Sequence, residues 1–152
     1  AVIEFARNAL KIKNAGSSEL DKKCYPVIGL LNEWNKNGKK VMGTDKNLGG
    51  TMRLGLYEAK LRHNSLIESI YKSKSIFERH RHRYEVNNNL RNKFENKGMI
   101  FSGMSPDGKL PEIIELKNHP WFIGVQYHPE FRSRPLTPHP LFSSFIKAAK
   151  LY

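Results

Sequence analysis

Near the C-terminal end of the chain, Trp121-Phe122-Ile123-Gly124-Val125-Gln126-Tyr127 runs almost without polar interruption. A strand apolar on both faces belongs inside a sheet that is covered on both sides. The run therefore predicts a buried central strand. Helical patterns stand at both ends of the chain. Val2, Phe5, Ala6, Ala9 and Leu10 recur at helical spacing with Glu4, Arg7, Asn8 and Lys11 between them. After a loop stiffened by Pro135, Pro138 and Pro140, residues 141–151 form a final amphipathic pattern. Strands mixed with helices make the class α/β.

The intervening sequence reads as short elements divided by turn residues. Pro26-Val27-Ile28-Gly29-Leu30-Leu31 is a brief apolar run, and Lys36-Asn37-Gly38-Lys39-Lys40 is polar and turn-like. Across residues 51–61, Met52, Leu54 and Leu56 alternate with Thr51, Arg53 and Gly55, the pattern of a strand with one solvated face. Asn64-Ser65 caps a short helix over Leu66, Ile67 and Ile70. Residues 76–86 are extended and basic, and residues 87–96 are helical with Gly98 as the stop. Residues 99–102 and 112–116 are strands around a Pro106-Asp107-Gly108 turn. No repeat is visible and no linker divides the chain, so residues 1–152 are expected to form one structural region with no second domain.

Composition narrows the function classes. Of 152 residues, 39% are hydrophobic, enough for a packed core and too many for wholesale disorder. No apolar stretch approaches the roughly 18 residues a membrane helix needs, and no leader pattern opens the chain. A cytoplasmic protein without membrane contact is expected. Cys24 is the single cysteine, which excludes an internal disulfide and a Cys-rich zinc site. The 26 Lys+Arg against 14 Asp+Glu give a formal charge of +12, so a basic nucleic-acid-binding module is the competing class. The basic residues are scattered from Lys11 to Lys150, however, and no nucleic-acid motif accompanies them.

Four features could carry chemistry. In Tyr127-His128-Pro129-Glu130, residues two apart in an extended chain project to the same side, so Glu130 can bond one ring nitrogen of His128 and leave the other for acid–base work. The plain alternative is a histidine held by a neighbouring carboxylate merely to end a strand. In Glu78-Arg79-His80-Arg81-His82-Arg83-Tyr84, an extended chain puts the three arginines on one face and His80, His82 and Tyr84 on the other. That cationic face suits phosphate or a substrate carboxylate, or it is a solvated edge strand protected from aggregation. Glu19, after Gly16-Ser17-Ser18, is by itself an ordinary loop carboxylate. Gly49-Gly50-Thr51-Met52-Arg53-Leu54-Gly55 lacks the Gly-Lys-Ser/Thr ending of a phosphate loop and reads as a flexible lid or a bend entering a strand.

Taken together, Gly-Gly-Thr-Met-Arg-Leu-Gly at 49–55, Glu-Arg-His-Arg-His-Arg-Tyr-Glu-Val-Asn at 78–87 and Gly-Val-Gln-Tyr-His-Pro-Glu-Phe at 124–131 resemble the glutaminase domain of the CTP synthase family. The opening Ala-Val-Ile-Glu-Phe-Ala-Arg-Asn and the later Pro-Leu-Phe-Ser-Ser-Phe-Ile-Lys-Ala-Ala extend the likeness over nearly the whole chain. His-Pro-Glu is common to class I glutamine amidotransferases, whereas the other two motifs point to CTP synthases among them. The resemblance implies a three-layer class I amidotransferase fold, present in its C-terminal part. It implies an enzyme that makes CTP from UTP, ATP and glutamine, with Mg2+, with GTP as activator, and with a homotetrameric assembly. Ammonia would pass from this region to an amidoligase domain of the same polypeptide. By the same resemblance His128 is the general base and acid, Glu130 its orienting carboxylate, Glu19 and Arg83 glutamine-binding residues, and the stretch around Gly49 a GTP-responsive lid.

One departure is large. The family's nucleophile stands on a Gly-x-Cys-x-Gly turn, and these 152 residues contain no such motif. Cys24 sits in Asp-Lys-Lys-Cys-Tyr-Pro, without the glycines of that turn, and is read as structural or incidental. The expected consequence is a Cys-His-Glu triad whose cysteine is missing from this chain, which alone would be inactive. No cofactor or metal is expected within it.

Overall fold

The computed structural model describes residues 1–30 and 52–151. The turn expected at residues 36–40 and the lid glycines Gly49 and Gly50 lie outside them. The described residues fall into two compact units: Ala1–Arg53 with His82–Lys97, and Leu54–Arg81 with Gly98–Tyr152.

In the first unit, α1 (Val2–Asn8) turns Val2 and Ala6 into the interior and sets Phe5 against Phe94, with ring centroids 6.0 Å apart. Glu4 in its first turn and Arg7 in its last complement the helix dipole. Arg7 Nε also donates to the Ala15 carbonyl at 2.8 Å, tying the helix to the sheet. β1 (Ala15–Ser17) runs parallel to β2 (Tyr25–Leu30). β2 also pairs antiparallel with a later strand, Tyr84–Val86, so it is the middle strand of three. Here Gly16 is required by close approach: a Cβ at that position would lie 2.7 Å from Cys24 Cβ and 2.8 Å from Sγ. Phe94 lies on a short helix, α3 (Arg91–Glu95), entered through a 3-10 turn and followed by Gly98 at φ +95°.

The second unit is built on a five-stranded sheet. Its strands are β3 (Arg53–Leu61), β4 (Ser75–His82), β6 (Met99–Met104), β7 (Pro111–Leu116) and β8 (Ile123–Val125), β5 being Tyr84–Val86 of the first unit. Their order is β4-β3-β6-β7-β8. The β6–β7 hairpin closes through Gly108 at φ +72°, with Asp107 Oδ1 accepting from the Ser105 hydroxyl and the Lys109 amide. α2 (Leu66–Tyr71) begins where sequence placed it: Ser65 Oγ accepts from the Glu68 amide. Buried Glu115 of β7 completes that cap, its two oxygens each 3.0 Å from the amides of Leu66 and Ile67. Ala59, Leu61, Ile67, Ile76, Ile113, Tyr127 and Leu141 form the core between the sheet, α2 and the last helix, α4 (Pro140–Ala149).

Two expectations are corrected. The apolar run Trp121–Tyr127 yields only the three-residue edge strand β8, half-buried, not a central strand. Its continuation nevertheless curls back to the opposite edge, where the His128 amide donates to the Arg79 carbonyl of β4 at 2.9 Å. That closure explains why Tyr127 is buried although its strand is an edge. At the start of β3 the leucines are the exposed side, Leu54 at 66% and Leu56 at 55%, while Arg53 is buried. Arg53 Nη1 lies 3.4 Å from Glu85 Oε1 within the first unit, so a charge partner outweighs hydropathy at this position.

Candidate functional site

His128 and Glu130 do form a pair. Nδ1 of His128 is 2.7 Å from Glu130 Oε1. The geometry differs from the extended chain that spacing suggested: Pro129–Phe131 is a 3-10 turn with proline at its start, and the turn folds the carboxylate back onto the ring. The bond to His128 holds the Glu130 carboxyl below its ordinary range, so it is an anion at neutral pH. The imidazole stacks on Phe131 with centroids 4.9 Å apart and planes 20° from parallel. With Nδ1 engaged by a carboxylate and the ring plane fixed by Phe131, Nε2 is the nitrogen available for proton transfer. The pair is open to solvent, with side chains 36% and 55% exposed.

The arginine run behaves as an alternating strand up to its end. Ile76, Glu78 and His80 of β4 point inward and Phe77, Arg79 and Arg81 outward. Arg83 falls at the break between β4 and β5 in the first unit and is half-buried. Glu19 is exposed in the turn after β1 of that same unit, its amide donating to Ser17 Oγ at 3.3 Å. His128 and Glu130 thus belong to one unit, and Glu19 and Arg83 to the other.

Sequence reasoning missed the buried polar groups under β4. Glu78 Oε1 accepts from Tyr71 Oη at 3.0 Å and from His139 Nε2 at 2.9 Å, and Tyr71 Oη lies 3.1 Å from Tyr127 Oη. The Leu141 amide donates to His139 Nδ1, so the proton of this neutral ring sits on Nε2 and histidine caps α4. Burial pushes both tyrosine hydroxyls well above their ordinary range, so they remain protonated donors. One residue pair further along, His80 Nε2 and Glu112 Oε2 are 3.7 Å apart in the interior. The available signal was the inward parity of Glu78 and His80 within β4. A grouping of His, Cys, Asp and Glu suited to a metal ion is absent among the described residues. Nor is any described helix long and apolar enough to cross a membrane.

An exposed carboxylate-oriented histidine on a mixed α/β scaffold has a family behind it. The model of the class-I glutamine amidotransferases matches residues 6–148, and the chain belongs to that family. Its relatives narrow the likeness further. A CTP synthase of Pelagibacter ubique is 77% identical over 150 residues, covering 99% of this chain and 28% of its own length. A CTP synthase of Hyphomonas neptunium is 58% identical over 98% of this chain and again 28% of its own. Among solved structures, the glutaminase domain of Trypanosoma brucei CTPS with bound acivicin superposes with a TM-score of 0.81 at 31% identity, over 98% of this chain and 55% of that one. The chain thus spans about a quarter of the length of the curated relatives it matches.

Proposed function

We propose that this chain is the His–Glu-bearing part of the glutaminase domain of a CTP synthase. The observation that carries the reading is the 2.7 Å bond between His128 Nδ1 and Glu130 Oε1 on a family-matched scaffold. A cysteine thiolate from outside these 152 residues attacks the glutamine side-chain amide carbon. The Nε2 proton of His128 then passes to the departing ammonia, leaving a glutamyl thioester. Nε2 next takes a proton from water as that water attacks the thioester, and returns it to the thiol sulfur as glutamate leaves. Glu130 stabilises the imidazolium during both halves. Glu19 holds the amino group of glutamine and Arg83 its carboxylate. Ammonia passes to an amidoligase domain that takes UTP and ATP with Mg2+, in a homotetramer activated by GTP.

Cys24 is not the nucleophile in this reading, because its Asp-Lys-Lys-Cys-Tyr-Pro setting lacks the glycines of the family's nucleophile turn. The 152-residue chain alone should release no ammonia from glutamine. Ammonia release that survived purification and vanished in Cys24→Ala would overturn the assignment. In the complete polypeptide carrying this sequence, His128→Ala should lower glutaminase turnover about 10³-fold while synthesis supplied with ammonium salt continues. Equal loss of both activities would count against the role given to His128.

A further inference from the structure

We infer that Glu78 is a positioning residue for His128, acting through Arg132; this rests on the reading of His128 as the acid–base group. The turn Pro129–Phe131 closes on its own backbone bonds, from the Phe131 amide to the His128 carbonyl and from the Arg132 amide to the Pro129 carbonyl, but has little of its own to anchor it to the sheet. It lacks a side-chain cap, it buries none of its residues, and Phe131 is 48% exposed. What fixes it is β4, at both of its ends. Before the turn, the His128 amide donates to the Arg79 carbonyl at 2.9 Å. After it, Arg132 Nη1 donates to the Phe77 carbonyl and stands 4.0 Å from Glu78 Oε2. Three consecutive residues of one strand therefore face the two ends of the turn.

Within that strap Glu78 supplies the charge. Arg79 and Arg81 stand exposed on the same strand, an edge that repels a third guanidinium. Glu78 offsets that repulsion. Its side chain is 4% exposed against 47% for Arg132, so the carboxylate is the fixed partner and the arginine is brought to it. The two oxygens are divided between tasks. Oε1 is occupied by Tyr71 and His139, whereas Oε2 makes no hydrogen bond among the described residues and keeps its charge toward Arg132. The hub of half-buried Tyr71 with buried Tyr127 and His139 thereby aims one oxygen at the strap that holds the catalytic turn.

The experiment uses the complete polypeptide. In Glu78→Gln the carbonyl oxygen keeps Tyr71 and His139 while an amide N–H replaces Oε2, setting donor against donor at Arg132. Glutaminase kcat should fall about tenfold with KM for glutamine within about twofold, since misplacement of an acid–base group costs turnover rather than affinity. Ammonium-supplied synthesis should be unchanged. Arg132→Ala, at an exposed position, should give the same split even if Glu78→Gln were to destabilise the fold. The double variant should be no worse than either single one, because both remove the same strap. Unchanged kcat in the single variants, losses that multiply, or a loss confined to KM would each overturn the inference. If His128→Ala is inactive in the same assay, that failure belongs to the strap alone; if His128→Ala is active, the site reading falls and the inference with it.

Discussion

Five of the six histidines lie within 4 Å of a glutamate, and two of these pairs use nearly the same bond for opposite ends. His128 and Glu130 are two residues apart, meet at 2.7 Å and are open to solvent. His139 and Glu78 are sixty-one apart, meet at 2.9 Å and are almost wholly buried. In the first pair the carboxylate takes Nδ1 and Nε2 is left over for chemistry. In the second it takes Nε2, and Nδ1 is spent on the amide of Leu141 at the start of α4. A histidine with one nitrogen free is equipped to move protons. One with both nitrogens bonded inside the protein is equipped to hold a fold together.

The largest test crosses the two pairs. His128→Ala should cost about 10³-fold in glutaminase turnover and leave stability within roughly 0.5 kcal/mol, since its side chain is partly solvated. His139→Ala should do the reverse. Removing a buried donor to a carboxylate typically costs about 3 kcal/mol, because the charged acceptor left behind has lost a hydrogen-bond partner. Chemical denaturation of the complete polypeptide alongside the glutaminase assay reads both quantities. If His139→Ala were fully stable but inactive, the division of roles drawn here would be broken.

A second test asks whether burial, rather than the histidine, gives a carboxylate its structural weight. Glu115 is 5% exposed and serves no histidine, bonding instead the amides of Leu66 and Ile67 at the positive end of α2. Glu115→Ala should destabilise by about 2 kcal/mol, leaving those two amides without acceptors in the interior. Amide hydrogen exchange localises the effect: faster exchange through α2, with the β6–β7 hairpin least changed, is expected. A neutral outcome would assign the weight of Glu78 to His139 rather than to burial.

The same contrast governs what could be read from sequence. Features fixed within a few residues were legible: the Ser65 cap, the Gly108 turn and the stop at Gly98. So was His128 with Glu130, because its partner is two positions away. Features fixed by distant partners were not. Arg53 is buried because Glu85 waits thirty-two residues later, which leaves Leu54 and Leu56 on the exposed side against their hydropathy. The run ending in Tyr127 looked central, yet it is an edge whose continuation meets β4 across the sheet. Glu78 stands in view within the arginine run but reads as part of a basic stretch, since nothing local announces His139. The glutamine-binding roles of Glu19 and Arg83 rest on resemblance alone, as neither position carries a pattern that demands a ligand.

The smallest expected effect tests the exposed pair by pH. The Glu130 carboxyl is held below its ordinary value of 4.5 chiefly by the bond to His128. A carboxyl whose folded value is depressed adds stability that is complete above the unfolded value and disappears as pH falls through the lowered one. Wild type and Glu130→Gln should therefore differ in melting temperature most at pH 5–7, by about one degree for so exposed a group, and should converge as pH falls through the lowered carboxyl value. Glutaminase turnover in the variant should fall about tenfold at neutral pH, because a neutral amide no longer stabilises the imidazolium. A melting difference that grew toward acid pH would mean that the Glu130 charge opposes folding, and the histidine it orients would have to be sought elsewhere.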